Sequence, residues 1–419
     1  MDILLASLLM LLGNVEEAQP DASFEQLVQA TLDSKHAIVA QLPDGNAGNP
    51  VLDGNGSESS GGATEGKDES DLFVKLDPQR DEAPVVKGIF VTAHSAAGAR
   101  MESLLNLVDE TELNAMVIDV KDDFGNITYP SENPMLQEMG TTTNIIRDMP
   151  ALMDTLDDHD IYPIARVVVF KDTIIAKKKP EWSFLRPDGS VWDNGKPHNP
   201  DSFVNPYVKE VWDYNIEVAK EAAAYGFKEI QFDYVRFPEG FETRADKLTY
   251  KQDERKRIEA VADFVQYARE ELTPLGVRVS VDIFGYAASV PAAEGIGQDF
   301  NKISQYVDVI SPMVYPSHYS TGWYDQKVPD ASPYETIYGA MEDTHEKLEE
   351  IGELKPVIRP WIQDFTASWI PGYIPYGKNE VEAQIRAMQE QDIHEFLLWN
   401  SSNRYTPGVD YDLDPNTTN

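Results

Sequence analysis

The chain has 419 residues, of which 42% are hydrophobic and 10% aromatic, enough apolar side chain to bury a large core. Its formal net charge of −37, from 35 Lys+Arg against 72 Asp+Glu, makes the surface broadly anionic and argues against a nucleic-acid partner, because polyphosphates are repelled. The absence of cysteine excludes disulfides and thiolate metal sites within these residues.

The chain opens on MDILLASLLMLLGN, an apolar run the length of a signal-peptide core and too short for an ordinary membrane span, although it lacks the usual preceding lysines. Residues 1–20 are expected to direct export; a short amphipathic or buried helix is the other reading. Next, SFEQLVQATLDSKHAIV has the pattern of one small helix. From Leu42 to Asp71 the text becomes a Gly/Ser/Asn/acidic tract without apolar periodicity, which reads as a flexible linker. The expected organisation is therefore a helix and linker over 21–85, a folded domain over 86–405 and a tail over 406–419.

Within that domain, β-branched and aromatic runs alternate with helical patterns. The runs are KGIFVTA, AMVIDVK, YPIARVVVF, EIQFDYVR, RVSVDIFG, DVISPMVYP, KPVIRPWIQDF and EFLLWNS. Between several of them lie segments with apolar residues at three-and-four spacing, such as VWDYNIEVAKEAAAYG, that end in Gly226, Gly276 or Gly352, as helices stopped by a left-handed cap do. Eight strand–helix repeats predict an α/β fold, a closed (β/α)8 TIM barrel. The rival, an open doubly wound sheet, lacks its G-x-G-x-x-G after the first strand, since KGIFVTAHSAAGAR has none.

A barrel of this kind carries its chemistry at the C-terminal strand ends, on inward-pointing alternate positions. On the fourth strand Ile230, Phe232 and Tyr234 share one face, leaving Gln231, Asp233 and Val235 inward. On the fifth, Asp282 follows Ser280 on the face opposite Val279, Val281 and Ile283. On the second, Asp119 and Lys121 share a face; on the third, Arg166 alternates with Ala165 and Val167. The remaining strands and their loops contribute His94, Tyr286, Tyr315, Trp361, Gln363 and Trp399. Aromatic rings stack on the CH faces of sugars, and carboxylate, amide and guanidinium groups match sugar hydroxyls, so the lining suits a carbohydrate. His94 and His318 show no metal-ligand spacing, and neither a catalytic metal nor another cofactor is expected.

The runs VKGIFVTAHSA, MVIDVKDDFG and IARVVVFKD, then FVNPY with GFKEIQFDYVRFP, DVISPMVYPSHY and FLLWNSSNRY resemble a family of bacterial, mostly exported proteins described as candidate glycoside hydrolases. The resemblance extends from Val86 to Tyr405 and implies a TIM barrel distantly similar to α-amylase-type glycosidases. In those enzymes a fourth-strand aspartate is the nucleophile and a fifth-strand carboxylate often the acid, positions held here by Asp233 and Asp282. One departure is that Gln231 stands where amylase-type enzymes place an arginine, while Arg236 follows the aspartate. The resulting expectation is hydrolysis of a poly- or oligosaccharide outside the cell or at its envelope. Asp233 acts as nucleophile or charge stabiliser, kept ionised by Arg236 or Arg166, and Asp282 as general acid/base. Asp119 is the reserve carboxylate or a partner of Lys121. The alternative is a barrel that binds carbohydrate without catalysis or serves only a structural role.

Overall fold

The computed structural model describes residues 83–352 and 355–413; the expected export signal, small helix and linker fall outside them. The β-branched runs form strands β1 (Lys87–Val91), β2 (Ala115–Lys121), β3 (Tyr162–Val168), β4 (Glu229–Asp233), β5 (Arg278–Phe284) and β6 (Val309–Met313). Strands β7 (Val357–Ile358), β8 (Trp361–Gln363) and β9 (Phe396–Trp399) complete the sheet. All pairings are parallel, β1 pairs with β9, and β5 pairs with β6, so the sheet closes into a (β/α)8 barrel. β7 and β8 share the seventh stave. Pro360 interrupts it, because a proline has no N–H to donate to the ladder.

The connections carry helices α1 (Arg100–Asp109), α2 (Met149–Asp158), α3 (Lys209–Tyr225), α4 (Arg257–Leu272), α5 (Phe300–Ser304), α6 (Pro333–Glu349) and α7 (Lys378–Gln389). Gly226 ends α3 at φ 108°, a conformation that side-chain-bearing residues rarely adopt. No helix follows β9 among the described residues. The tail takes that place: Tyr411 is fully buried with its ring 6.3 Å from Phe396, and Asp412 pairs with Lys87 at 2.8 Å.

Period-two alternation along the strands divides the core in two. Ile89, Ile118, Val167, Ile230, Phe232 and Val281 belong to the large cluster between sheet and helices. Val86, Phe90, Val117, Ile164, Trp361 and Leu397 form a smaller cluster inside the barrel. The interior is tightly filled near the start of β1, where a Cβ on Gly88 would lie 2.7 Å from Leu397 Cδ2.

An ion cluster lies at the N-terminal end of the staves. Arg359 donates to Glu229 and to Glu395, each at 2.7 Å, and both Glu229 and Arg359 are fully buried. Burial alone would raise the Glu229 carboxyl, but Arg359 and Arg278 outweigh it and hold the group below its ordinary range. Removing Arg359 leaves the buried Glu229 carboxylate with only Arg278, 4.0 Å away, and Glu395 without the guanidinium it pairs with. Arg359→Met is therefore expected to lose about 3–5 kcal/mol in urea unfolding, and Arg359→Lys, which keeps the charge, to lose less. Equal losses in the two variants would contradict this account.

Candidate active site

Arg166, on the inward face of β3 and 1% exposed, organises the mouth. The register places Asp119 of β2 on one side of it and Gln231 of β4 on the other. From there its guanidinium donates to Asp233 Oδ2 through Nε at 2.9 Å and Nη2 at 2.5 Å, to Asp119 Oδ1 through Nη1 at 2.6 Å, and to Asp123 Oδ1 at 3.2 Å. The same cation lies over the rings of Phe90 (5.4 Å) and Trp399 (5.6 Å), which stack on each other with centroids 4.2 Å apart. One cation thus joins staves two, three and four, and rings from the first and eighth pack against it.

Asp282 stands apart from the guanidinium. It is 1% exposed, and its Oδ1 accepts a hydrogen bond from the Trp361 indole N–H at 2.7 Å. Burial, and next the Asp233 carboxylate, push its carboxyl well above the ordinary range against the opposing pull of Trp361 and Arg166. Burial also lifts Asp119 to about 7, with the neighbouring Asp123 and Asp122 adding to the rise and Arg166 resisting it. For Asp123, Lys171 and Arg166 overcome the effect of burial, so that carboxyl is held low. Burial raises the Tyr315 phenol, with Asp282 and Asp233 contributing, and lowers the His318 imidazole to about 4.

The end of β4 is strained. Tyr234 has φ 51°, and its N–H donates to Asp233 Oδ1 at 2.5 Å. A non-glycine residue held in this region costs about 1–3 kcal/mol and persists only where its surroundings over-determine it. Here the Tyr234 ring lies 4.6 Å from the buried Lys171 ammonium, which also approaches Asp123 at 3.8 Å and Asp201 at 3.9 Å. The left-handed turn breaks the strand alternation, so Val235 packs in the outer cluster instead of facing the barrel axis.

Several expected site residues lie elsewhere. The β2 register shifts between Asp119 and Lys121, a bulge that carries Lys121 to the outer face. There its ammonium pairs with Asp172 at 2.8 Å, donates to Val168 O and Asn215, and lies over the Tyr214 ring, all behind the wall. The Asp119 partner is Arg166. Arg236 donates to Glu239 at 2.9 Å and to its neighbouring carbonyl on Phe237, with its guanidinium over Phe284 and Tyr234, so of the two arginines it is Arg166 that bonds Asp233. Tyr286 stacks near Phe284 on that same side. The Gln363 amide is occupied by protein, donating to Asp330 and to Phe365 O and accepting from Ser317 N–H. His94 is exposed on the short helix Ala93–Ala96 beyond β1. Trp361 is 1% exposed inside the barrel, where it serves Asp282 rather than an open surface.

Of the expected residues, Asp119, Arg166, Asp233, Asp282, Tyr315, Trp361 and Trp399 come together. Phe90, Asp123, Tyr234 and Lys171 join them without having been singled out, although DVKDDFG and VVVFKD place charges just past the ends of β2 and β3. The insert after β3 is pinned beside them. Its PDG segment forms the expected turn, with Leu185 and Val191 bridged antiparallel, and Lys171 bridges Phe203.

Residues 88–405 match the model of a family described as a putative glycosyl hydrolase domain. None of the curated proteins compared with the chain matches it. Among solved structures, a hypothetical protein from Ruminiclostridium thermocellum is 35% identical, with a TM-score of 0.42, and covers 46% of this chain and 96% of its own. The PgaB (BpsB) glycoside hydrolase domain from Bordetella bronchiseptica has a TM-score of 0.51 at 11% identity, over 76% of this chain and 95% of its own. The α-galactosidase TtGalA from Thermus thermophilus has a TM-score of 0.45 at 11% identity, over 78% and 60%. The likeness to the PgaB domain is one of fold.

The Asp119 environment makes stability depend on pH. The folded chain holds this proton up to about pH 7, whereas an unfolded chain releases it at about pH 4. Folding therefore takes up a proton between those values, and stability falls as pH rises through that window. Asp119→Asn is neutral at every pH. Its thermal midpoint relative to that of the parent is expected to rise as pH is raised from about 4 to about 8; a difference independent of pH would refute the assignment.

Proposed function

The chain belongs to the family described as a putative glycosyl hydrolase domain, and on that premise we propose that it hydrolyses a glycosidic bond in a poly- or oligosaccharide with Asp233 and Asp282 in divided roles. The observation that carries this reading is the contrast between their partners. Asp233 faces a guanidinium through two nitrogens, while Asp282 is desolvated against Trp361 and faces the Asp233 carboxylate. Two neighbouring carboxyls in such different surroundings separate into an ionised group and a proton donor.

In the proposed reaction Asp282 gives its proton to the glycosidic oxygen as the C–O bond breaks, and the Asp233 carboxylate meets the positive charge developing at the anomeric carbon. Asp282, now ionised, then takes a proton from the water that completes hydrolysis. Arg166 fixes the Asp233 carboxylate, and the rings of Phe90, Trp361 and Trp399 keep the interior at low dielectric. Asp119, with its proton held to about pH 7, is the second candidate donor. The apolar N-terminal run supports an extracellular or envelope setting for this activity.

Release of reducing ends from α- and β-linked polysaccharides, peptidoglycan fragments included, is the direct assay. On any substrate the protein cleaves, Asp282→Asn and Asp233→Asn are each expected to lower turnover by at least about 10²–10⁴-fold while retaining saccharide binding. Binding without turnover in the parent protein would instead identify a carbohydrate-binding barrel. If Asp119→Asn abolishes turnover and Asp282→Asn does not, the donor role passes to Asp119.

A further inference from the structure

A chain of rings leads outward from the candidate active site. Trp361, whose N–H binds Asp282, meets Trp399 edge-on at 5.5 Å, and Trp399 lies 6.4 Å from Tyr315. Tyr315 meets Phe365 at 6.0 Å, and Phe365 lies 6.1 Å from Trp369 with the two ring planes only 15° apart. The sequence of rings passes from a fully buried indole to the half-buried Phe365 and Trp369 on the loop beyond β8, where Tyr373 is 42% exposed. The series thus ends on Phe365 and Trp369 at the C-terminal side of the strands, the side on which Asp233 and Asp282 lie.

The loop also differs in charge from the rest of the molecule. Residues 365–377, FTASWIPGYIPYG, contain no Asp, Glu, Lys or Arg, although 26% of the whole chain is charged. An uncharged aromatic strip on a protein of net charge −37 offers no ionic partner to a charged polymer. It offers ring faces and edges to the CH faces of sugar rings.

We propose that the loop beyond β8 is an extended binding track for an uncharged saccharide chain, with Phe365 and Trp369 holding sugar units further along the chain from the bond that is cleaved. This rests on the glycosidase reading for its direction, and makes the substrate a polymer or long oligosaccharide that is neutral. Trp369 is a binding residue in this arrangement and takes no part in the chemistry.

The test is affinity electrophoresis of the full chain in native gels containing soluble starch, hydroxyethylcellulose, laminarin or polygalacturonate, with reducing-end release measured separately. Retardation is expected in at least one of the three neutral polymers and not in polygalacturonate. Trp369→Ala should weaken that retardation about 3- to 10-fold, and Trp369→Tyr, which keeps an aromatic face, should restore most of it. Circular dichroism and the thermal midpoint establish that each variant is folded; if Trp369→Ala is not, the Tyr variant and Phe365→Leu carry the comparison. Absence of retardation in all three neutral polymers, stronger retardation in polygalacturonate, or retardation indifferent to these substitutions overturns the track. Retardation that depends on Trp369 without any release of reducing ends leaves the track standing and removes the glycosidase reading; hydrolysis without dependence on Trp369 does the reverse.

Discussion

A single buried guanidinium holds the mouth of this barrel together. Arg166 is 1% exposed, and a charge so far from water requires close, well-oriented partners. It finds them in Asp119, Asp123 and Asp233, which arrive from β2, the loop after it, and β4. The requirement is mutual: each of these carboxylates is also largely withdrawn from solvent, and none has another guanidinium bonded to it. Asp233 and the stacked rings of Phe90 and Trp399 pack directly against this one cation.

Buried cations elsewhere among the described residues, Lys121, Arg359 and Arg269, face carboxylates of their own. Behind the wall, the Lys121 ammonium is spent on Asp172, Asn215 and a backbone carbonyl. At the opposite end of the staves, Arg359 is divided between Glu229 and Glu395. Arg269 pairs with Asp308 on the outside of the sheet. In each of these sets a cation meets a carboxylate directly, which offsets part of the desolvation of both. The mouth is different. Asp282 has an indole N–H where a cation would be expected, and this imbalance raises its affinity for a proton.

The rings inside the barrel support that imbalance. Phe90, Trp361 and Trp399 pack against one another inside the barrel, with the Trp361 N–H on Asp282 and the Arg166 guanidinium over Phe90 and Trp399. A low local dielectric strengthens both the Arg166–Asp233 attraction and the cost of ionising Asp282. Aromatic packing in this interior is therefore part of the electrostatics of the site, and the outward series of rings is continuous with it.

Much of the architecture was legible in the sequence, because strand alternation and helical spacing are local patterns written directly in residue order. Eight strand runs, the glycine-ended helices, the PDG turn and the inward placement of Asp119, Arg166, Asp233 and Asp282 are all of this kind. What alternation could not reveal were its interruptions: the bulge before Lys121 and the left-handed Tyr234, each of which exchanges the faces of the residues that follow. Pairing was also beyond it. Arg166 and Arg236 were equal candidates for Asp233 by position, and only the closed barrel decides that one guanidinium bonds three carboxylates while the other turns to Glu239. Periodicity determines which side of a strand a group occupies; distance, burial and competition between partners exist only once the staves are brought side by side, and these decide which carboxyl keeps its proton.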